Sequence, residues 1–463
     1  MKRDRSIFLI NWLNSKTRKP LIIRGARQVG KTWLIRDLAK TQNKDLIEFN
    51  FEKRPDFQSL FFSNDPKEIL LNISTAIGKS VDPNNSILFL DEIQSAPQLL
   101  AKLRWFAEDL PNLPVIAAGS LLDFALEQHE FSMPVGRIGY MYLEPLSFEE
   151  FLEAVGQSHL RSYLENFNWS MDVPDAIHHQ MLKFLKEYLI VGGMPAAVLS
   201  WHIERNLNSI NQIHYDLLST YRDDFSKYSK RLTLQRLEDI LNSVPHQLGK
   251  KFIYHQANPD ANSAPLKQAL QLVTKARICH VISLSSGNGL PLAAESNEKF
   301  SKVIMLDVGL CNVSLGLSLH QLSETDELAL VNSGSLAEQF TGQILRTIFP
   351  AYVSPSLYYW QQTKKNSEAE IDYILQHEND IIPLEVKAGK TGSLKSLHFF
   401  MAEKNKDLAV RVNSDKPSIC SIKTQTSSVR PSNYSLISIP FYLLEQLHRL
   451  IKNAQERINE SSF

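Results

Sequence analysis

The feature that most constrains this 463-residue chain is a glycine-containing loop near its N-terminus. Residues 20–34 read PLIIRGARQVGKTWL: an apolar run precedes Gly25, and the triplet Gly30-Lys31-Thr32 begins a segment with helical periodicity. A strand, a loop with the spacing G-x-x-x-x-G-K-[ST] and a helix together are typical of a phosphate-binding loop. Its glycines let backbone amides face a phosphate, and the helix N-terminus adds partial positive charge. The sequence therefore predicts an α/β fold with a parallel sheet and a nucleotide held by Gly25, Ala26, Arg27, Gln28, Val29, Gly30, Lys31, Thr32 and Trp33.

The segment SILFLDEIQ at 86–94 supports this interpretation independently. Its apolar run is typical of a strand buried on both faces, and it ends in the adjacent carboxylates Asp91 and Glu92. We expect Lys31 to contact the β- and γ-phosphates, and the Thr32 hydroxyl and Asp91 to hold Mg²⁺. Glu92 lies one residue beyond the strand, where it would polarise the attacking water. ATP and Mg²⁺ are therefore the expected cofactors.

Two more residues are candidates for the same site. Ser120 ends the apolar segment PVIAAGS, where it would contact the γ-phosphate or the attacking water, or cap the helix predicted from LLDFALEQ. Arg137 lies between two glycines in the segment PVGRIGYMYLEPLSFEEFL. It would stabilise transition-state charge, in cis or across the interface of a homo-oligomer, unless it is simply a surface arginine. The sequence leaves both alternatives open.

A second group of charged residues lies near the C-terminus. Glu338 belongs to the amphipathic segment SLAEQFTGQILRTIF, and Asp372 lies on the predicted strand AEIDYILQ. Glu385 and Lys387, in DIIPLEVKAG, are two residues apart and so share one face of the next predicted strand. Asp372 and Glu385 would hold a divalent cation while Lys387 acts on the attacking water. Three carboxylates around one lysine are over-acidic without a cation, which favours a metal over a plain cross-strand ion pair.

This arrangement resembles the PD-(D/E)xK nuclease fold, although "EID" stands where that pattern has "PD". The resemblance implies that Glu338 is the additional acidic ligand of the fold. It also leaves open a domain that has kept the fold as a nucleic-acid clamp or docking platform and has lost cleavage.

Composition sets limits on the partners of the chain. Lysine plus arginine and aspartate plus glutamate both number 50, so contact with DNA would need a local basic patch. The three cysteines have no metal or redox spacing, which indicates reduced thiols. No apolar run approaches the length needed to cross a bilayer. We therefore expect a cytoplasmic protein with no membrane association.

Several motifs in order resemble one family of bacterial and archaeal AAA-type P-loop ATPases: IIRGARQVGKTWL, LFLDEIQ, AAGSLLDF, GRIGYMYLEPLSFEEF and YLIVGGMPAAV. The resemblance spans nearly the whole chain. It implies ATP binding and hydrolysis, followed by a C-terminal domain of uncharacterised role.

The predicted organisation has five parts. They are an ATPase core at 1–147, a helical lid at 148–228, a winged-helix-like connector at 229–318, a nuclease-like domain at 325–425, and a C-terminal helix and tail at 430–463. The connector would read DNA or serve as a protein-interaction spacer, and its helix offers only a weak basic face in Lys267 and Lys275.

Three functions remain open from the sequence. One is an ATP-gated nuclease acting on DNA, and the second is an ATP-controlled binding switch with an inactive C-terminal domain. The third is a transcription regulator that uses the winged helix.

Overall fold

The strand that leads into the phosphate loop lies inside a five-stranded parallel sheet in the computed structural model of the chain. The strands are β1 (Leu21–Arg24), β2 (Asp45–Asn50), β3 (Ser86–Asp91), β4 (Val115–Gly119) and β5 (Gly139–Tyr142), in the spatial order β2-β3-β4-β1-β5. Every residue of β3 and β4 is buried, as the apolar runs predict. The parallel α/β core is therefore confirmed.

The structure describes residues 1–120, 122, 134, 136–226, 234–324, 334–362, 369–387, 394–426 and 429–460. Most of the helix predicted after Ser120 lies outside these residues, as do the predicted domain limits near 228, 325 and 463. The chain forms two compact units. Unit 1 comprises 1–145, 271–278 and 349–354, and unit 2 comprises 146–270, 279–348 and 355–463.

Unit 1 also contains helices α1 (Arg5–Asn14), α2 (Lys31–Thr41), α3 (Pro66–Ile77) and α4 (Leu99–Asp109). Helix α2 begins at Lys31 because Gly30 adopts a left-handed conformation with φ of 97°. Asp65 caps α3 by accepting a hydrogen bond from the Lys67 amide, and Pro66 fixes the first helical residue. An apolar core that includes Phe49, Leu90 and Phe106 packs on the sheet.

Unit 2 begins with helical segments, in agreement with the helical pattern predicted after residue 148. The helices are α5 (Phe148–Ala154), α6 (Ser158–Asn166), α7 (Asp175–Val191), α8 (Pro195–Glu204), α9 (Leu207–Ser226), α10 (Leu234–His246), α11 (Tyr254–Ala257), α12 (Ser263–Lys275), α13 (Val308–Ser314), α14 (Leu319–Glu324), α15 (Gly334–Thr347), α16 (Lys395–Lys404) and α17 (Leu447–Glu460). The C-terminal end of α12 belongs to unit 1. The two-glycine stop after α7 has a clear cause: a Cβ on Gly193 would lie 2.1 Å from the Leu146 carbonyl oxygen.

Asp307 fixes the segment that follows the two glycines. Its buried carboxylate caps α13 by accepting from the amides of Gly309 and Leu310, and it also accepts from the Gly193 amide at 2.6 Å. Burial raises the pKa of Asp307 to about 6. The contacts of Asp307 therefore give it a structural role.

The strands of unit 2 form one mixed sheet of eight strands. They are β6 (Cys279–Ser285), β7 (Ser296–Met305), β8 (Leu357–Gln361), β9 (Glu370–His377), β10 (Asp380–Val386), β11 (Leu408–Asn413), β12 (Ser418–Thr426) and β13 (Val429–Pro440). Their order is β12-β13-β11-β10-β9-β8-β6-β7. Strands β9 and β10, the two strands predicted around Asp372 and Glu385, are antiparallel neighbours.

The sheet differs from the predicted division into a connector and a separate domain. Strand β6, expected in a winged helix, pairs in parallel with β8, so the β6–β7 hairpin extends the C-terminal sheet. Residues 430–440, predicted as part of the C-terminal helix and tail, belong instead to β13 and pair with β11 and β12. The apolar faces of these strands are buried in the shared sheet, which a segment-by-segment interpretation does not reveal.

No helix within the described ranges is both long and apolar enough to cross a lipid bilayer. The cytoplasmic location stays a prediction.

Candidate functional site

The phosphate loop closes against the end of β5 through a contact that only glycine permits. A Cβ on Gly25 would lie 2.5 Å from the carbonyl oxygen of Leu143. The Leu143 amide also donates to the Arg24 carbonyl at 2.8 Å, which extends the β1–β5 pairing to the start of the loop. Gln28 in the middle of the loop has φ of 64°, so the chain turns sharply before Gly30.

Lys31 is buried at the N-terminus of α2, where its ammonium group donates to the carbonyls of Gly25 at 3.1 Å and Ala26 at 2.8 Å. Burial lowers the pKa of Lys31 to about 8, although the charges of Glu92 and Asp91 act in the opposite direction. The ammonium therefore lies within the loop itself, where a phosphate oxygen can replace a carbonyl as acceptor.

Thr32 and Asp91 meet as the sequence predicts. The Thr32 hydroxyl donates to Asp91 Oδ2 at 3.1 Å, and the Asn50 amide group donates to the same oxygen at 3.3 Å. Burial raises the pKa of Asp91, and the neighbouring Glu92 adds to the effect. This set of oxygen donors suits a hard divalent cation.

Glu92 adopts a left-handed conformation, with φ of 51°, directly after β3. Its Oε2 accepts a 2.5 Å hydrogen bond from the side-chain amide of Gln94. Gln94 in turn lies against Gly119 at the end of β4, because a Cβ there would lie 2.2 Å from Gln94 Oε1. Gln94 therefore positions Glu92. This role was not predicted from the sequence, although Gln94 is the last residue of the segment LFLDEIQ.

Ser120 is buried beside Gly119, and its Oγ has no hydrogen-bond partner within the described structure. Gln94 Oε1 is likewise buried without a partner there. A buried polar atom without a partner is costly, so two of them at the carboxyl edge of the sheet indicate a place for a polar ligand or an ordered water. This geometry suits the predicted sensor role of Ser120.

Arg137 lies at the surface of unit 1. Its side chain is 54% exposed, and its Nε lies 2.7 Å from Glu108 Oε1, which also pairs with Arg104 at 3.2 Å. Trp33 is 41% exposed, so its ring is accessible on α2.

Arg3 was not predicted as part of the site, yet it braces the loop. This buried arginine donates to the Val29 carbonyl at 2.9 Å and to the Glu144 carbonyl at 2.6 Å. The basic N-terminal segment gave no indication of this role, because the two carbonyls are distant in sequence.

The second predicted cluster is assembled in unit 2, with two unexpected members, Lys302 and Glu370. Asp372 Oδ2 accepts from the Val386 amide at 2.8 Å, and Lys387 Nζ lies 2.6 Å from Glu385 Oε1. Lys302 of β7 was not predicted. Its side chain is 2% exposed, and its Nζ lies 3.3 Å from Glu338, 2.5 Å from Glu370 and 3.9 Å from Asp372.

Burial governs the ionisation of this cluster. It raises the pKa of Glu338 to about 7 and of Glu385 to about 8, and it also raises the pKa of Asp372. Burial opposes the charge of Lys302, but the charges of Glu338, Asp372 and Glu370 raise the pKa of Lys302 above its usual value. Lys302 therefore supplies positive charge that the sequence analysis had assigned to a metal.

The fit of a cation to this cluster is mixed. Glu385 Oε2 is buried without a hydrogen-bond partner in the described structure, as a metal-binding oxygen would be. Across the residues that the structure describes, however, no three or more His, Cys, Asp or Glu side chains form a group that could hold a metal ion.

Comparison with known families divides the chain into three matched stretches. Residues 17–152 match a family described as an AAA domain. Residues 182–321 match a domain of unknown function (DUF8612), and residues 333–442 match another (DUF4143). No curated protein matches the chain.

Similar solved structures include the Aeropyrum pernix ORC1 protein in complex with DNA and the Pif1 helicase from Candida albicans. The first is 13% identical with a TM-score of 0.26, over 73% of this chain and 94% of that one. The second is 14% identical with a TM-score of 0.22, over 40% of this chain and 47% of that one. Similarity at this level supports no inference about what this chain binds.

The contact between Gly119 and Gln94 gives a prediction for Glu92. In a Gly119→Ala variant the added methyl group displaces the Gln94 side chain, and Glu92 loses its 2.5 Å hydrogen bond. Misplacement of a catalytic group costs rate more than binding, so we expect ATP turnover to fall roughly ten- to a hundredfold while ATP affinity stays within about twofold. Steady-state ATPase assays and equilibrium nucleotide binding measure both quantities.

Gly139→Ala is the matched control. Gly139 also lies on a strand of this sheet, but a Cβ there would meet Leu21 at an ordinary 3.5 Å. Equal turnover in the two alanine variants would show that Gln94 does not position Glu92.

Proposed function

We propose, on the premise that residues 17–152 form an AAA-type P-loop ATPase domain, that the protein hydrolyses ATP with Mg²⁺ and uses this reaction to control unit 2. The single observation that carries the first part is the 3.1 Å hydrogen bond between Thr32 Oγ1 and Asp91 Oδ2. It brings the end of β3 to the start of α2, where a Mg²⁺–ATP complex would be held.

Different residues of the site bind the phosphates, hold Mg²⁺ and activate the attacking water. Lys31 exchanges the carbonyls of Gly25 and Ala26 for phosphate oxygens, and Thr32 and Asp91 hold Mg²⁺, which when bound neutralises charge on the phosphates. Glu92 orients the attacking water and accepts its proton. Ser120 donates to the γ-phosphate or to that water, which would satisfy its buried hydroxyl.

Two substitutions separate binding from hydrolysis. Lys31→Ala removes the charge that faces the β- and γ-phosphates, so we expect no detectable ATP binding. Glu92→Gln keeps the size of the side chain and removes its basicity, so we expect normal ATP affinity with turnover reduced roughly a hundredfold or more. Equilibrium binding and phosphate release provide the two measurements, and wild-type turnover by Glu92→Gln would contradict the role of Glu92.

For Arg137 we propose action across an interface between copies of the chain. An exposed ion pair such as Arg137–Glu108 contributes little stability and breaks readily, so the guanidinium is available to a neighbouring molecule. It would stabilise the transition-state charge on the γ-phosphate held by that neighbour.

Mixing two inactive variants tests this role. Arg137→Ala supplies an intact phosphate loop and Lys31→Ala supplies an intact arginine, so their mixture should regain part of the wild-type ATPase rate. Arg104→Ala, which removes the other partner of Glu108, is the matched control and should stay active alone. Arg137 acts in cis or not at all if each inactive variant remains inactive in the mixture although the chains associate.

For unit 2 we propose an ATP-controlled binding role rather than cleavage as the better-supported function. The observation that favours it is Lys302, which places a buried ammonium group among Glu338, Glu370 and Asp372. Lys302 offsets part of the negative charge that a metal would otherwise balance, and burial raises the pKa of Glu338, Asp372 and Glu385, which favours their uncharged forms. Unit 2 would then recognise a partner protein or nucleic acid without cutting it.

Metal-dependent cleavage of a phosphodiester, with DNA as the expected substrate, is the second candidate. Glu385 Oε2, which is buried and has no hydrogen-bond partner among the described residues, favours it. Asp372 and Glu385 would hold the cation, with Glu338 as a third ligand, and Lys387 would orient the attacking water. Such a cation would supply Lewis-acid stabilisation of the charge that develops on the phosphate.

Replacing Lys302 distinguishes the two candidates. Lys302→Met keeps an unbranched side chain of nearly the same length but removes the cation that pairs with three partly buried carboxylates, so we expect the free energy of unfolding to fall by about 1–3 kcal/mol. Mn²⁺ should partly restore the melting temperature of this variant and leave the parent unchanged. The measurement is made without ATP on a Lys31→Ala background, so that the phosphate loop binds no metal–nucleotide complex.

Lys406→Ala is the control, because its ion pair with Asp380 is partly exposed and should cost little. A Mn²⁺-dependent rise in the parent that Asp372→Asn abolishes, together with DNA cleavage that Lys387→Ala abolishes, would establish the nuclease instead.

A further inference from the structure

A short segment far from the AAA domain in sequence belongs to the unit that contains the phosphate loop. The chain enters unit 1 at Gln271 and leaves it after Ile278, with unit 2 residues on both sides. This segment contains the end of α12 and Arg277, and the strand β6 begins at Cys279. It lies outside the stretch that matches the AAA family.

Arg277 lies beside the end of β5. Its Nη1 is 3.5 Å from Glu144 Oε1, and its guanidinium group lies 4.6 Å from the centre of the Tyr142 ring. The side chain is 11% exposed. Strand β5 pairs in parallel with β1, so Tyr142 marks the same carboxyl edge at which the phosphate loop begins.

Two contacts and one electrostatic effect link this position to the loop. The Leu143 carbonyl oxygen touches Gly25, the first glycine of the loop. Arg3 joins the Val29 carbonyl in the loop to the Glu144 carbonyl. The positive charges of Arg27 and Arg277 both lower the pKa of Lys31, although burial is the larger cause. Positive charges that converge on a buried ammonium repel one another unless an anion binds between them.

The backbone at Arg277 is also unusual. Arg277 ends α12 in a left-handed conformation, with φ of 61°, and its amide donates to the Thr274 carbonyl. Glycine is the residue that suits this position at a helix end, and arginine there costs conformational energy. The arginine at this position is therefore not explained by local backbone preference.

We propose that Arg277 binds the terminal phosphate of ATP and so distinguishes ATP from ADP. A phosphate accepts two hydrogen bonds from a guanidinium group, which is a stronger partner than a carboxylate oxygen at 3.5 Å. Strand β6 begins two residues later, and it pairs with β7 in the hairpin and with β8 in the sheet of unit 2. We therefore expect the same arginine to couple the nucleotide state to this strand. This inference rests on the proposed ATP site.

The test compares affinities for ATP and ADP with Mg²⁺, on a Glu92→Gln background that prevents hydrolysis. The variant is Arg277→Gly, because glycine fits the left-handed backbone and the fold should be kept. We expect ATP affinity to fall roughly ten- to a hundredfold and ADP affinity to change less than about threefold. Arg277→Lys, which keeps the charge but not the planar group, should lie between the two.

Arg205→Gly is the matched control. Arg205 also ends a helix in a left-handed conformation, pairs with a glutamate at 2.5 Å and lies over an aromatic ring, but its partners Glu187 and Trp201 are in unit 2. It should bind both nucleotides as the parent does.

The outcomes separate this inference from the proposed function. Unchanged ATP affinity in Arg277→Gly, or an equal loss of ATP and ADP affinity, would overturn the assignment to the terminal phosphate. A parent protein that binds neither nucleotide would overturn the ATP site itself, and this inference with it.

Discussion

The buried ammonium group of Lys31 is the constraint on which the N-terminal site depends. A lysine removed from water must keep its hydrogen bonds or lose its proton, and here the carbonyls of Gly25 and Ala26 accept from it. Those carbonyls face inward because the loop turns tightly at Gly25, which touches Leu143, and at Gly30. Asp91, at the end of the buried strand β3, and Glu92, one residue beyond it, offset the charge. The loop, the two strands and the helix α2 therefore form one electrostatic unit.

Unit 2 also contains a buried lysine, but there carboxylates rather than backbone carbonyls are its partners. Its carboxylates on α15 and β9, Glu338, Glu370 and Asp372, would repel one another, and Lys302 reaches them from β7. The contact exists because the β6–β7 hairpin joins the C-terminal sheet, with β6 beside β8. The positive charge of this lysine lowers the need for a bound cation. The sheet topology therefore affects whether this cluster would bind a metal.

The residues missed by sequence reasoning share one property. Each forms a hydrogen bond or an ion pair with a group that the fold brings close from a distant segment or from a strand end. These residues are Arg3, Gln94, Lys302 and Arg277. Gln94 could have been considered from the sequence, since it follows Glu92 by two residues. Only the position of Gly119 shows why the Gln94 side-chain amide faces Glu92. The other three occur in stretches whose local pattern indicates an ordinary surface or core residue.

The sequence by itself determined the parallel α/β core, the phosphate loop and the pairing of Thr32 with Asp91. Each follows from local rules: glycine at positions that demand it, apolar runs that bury strands, and carboxylates at strand ends. It also predicted that Asp372, Glu385 and Lys387 meet, because the spacing of two strands joined by a short turn sets their faces. Only the tertiary structure decided the strand partners of β6 and β13 and the arrival of Lys302 and Arg277 at their charged neighbours. Such contacts depend on which segments share a sheet edge, and that choice reflects burial summed over the whole fold rather than any local pattern.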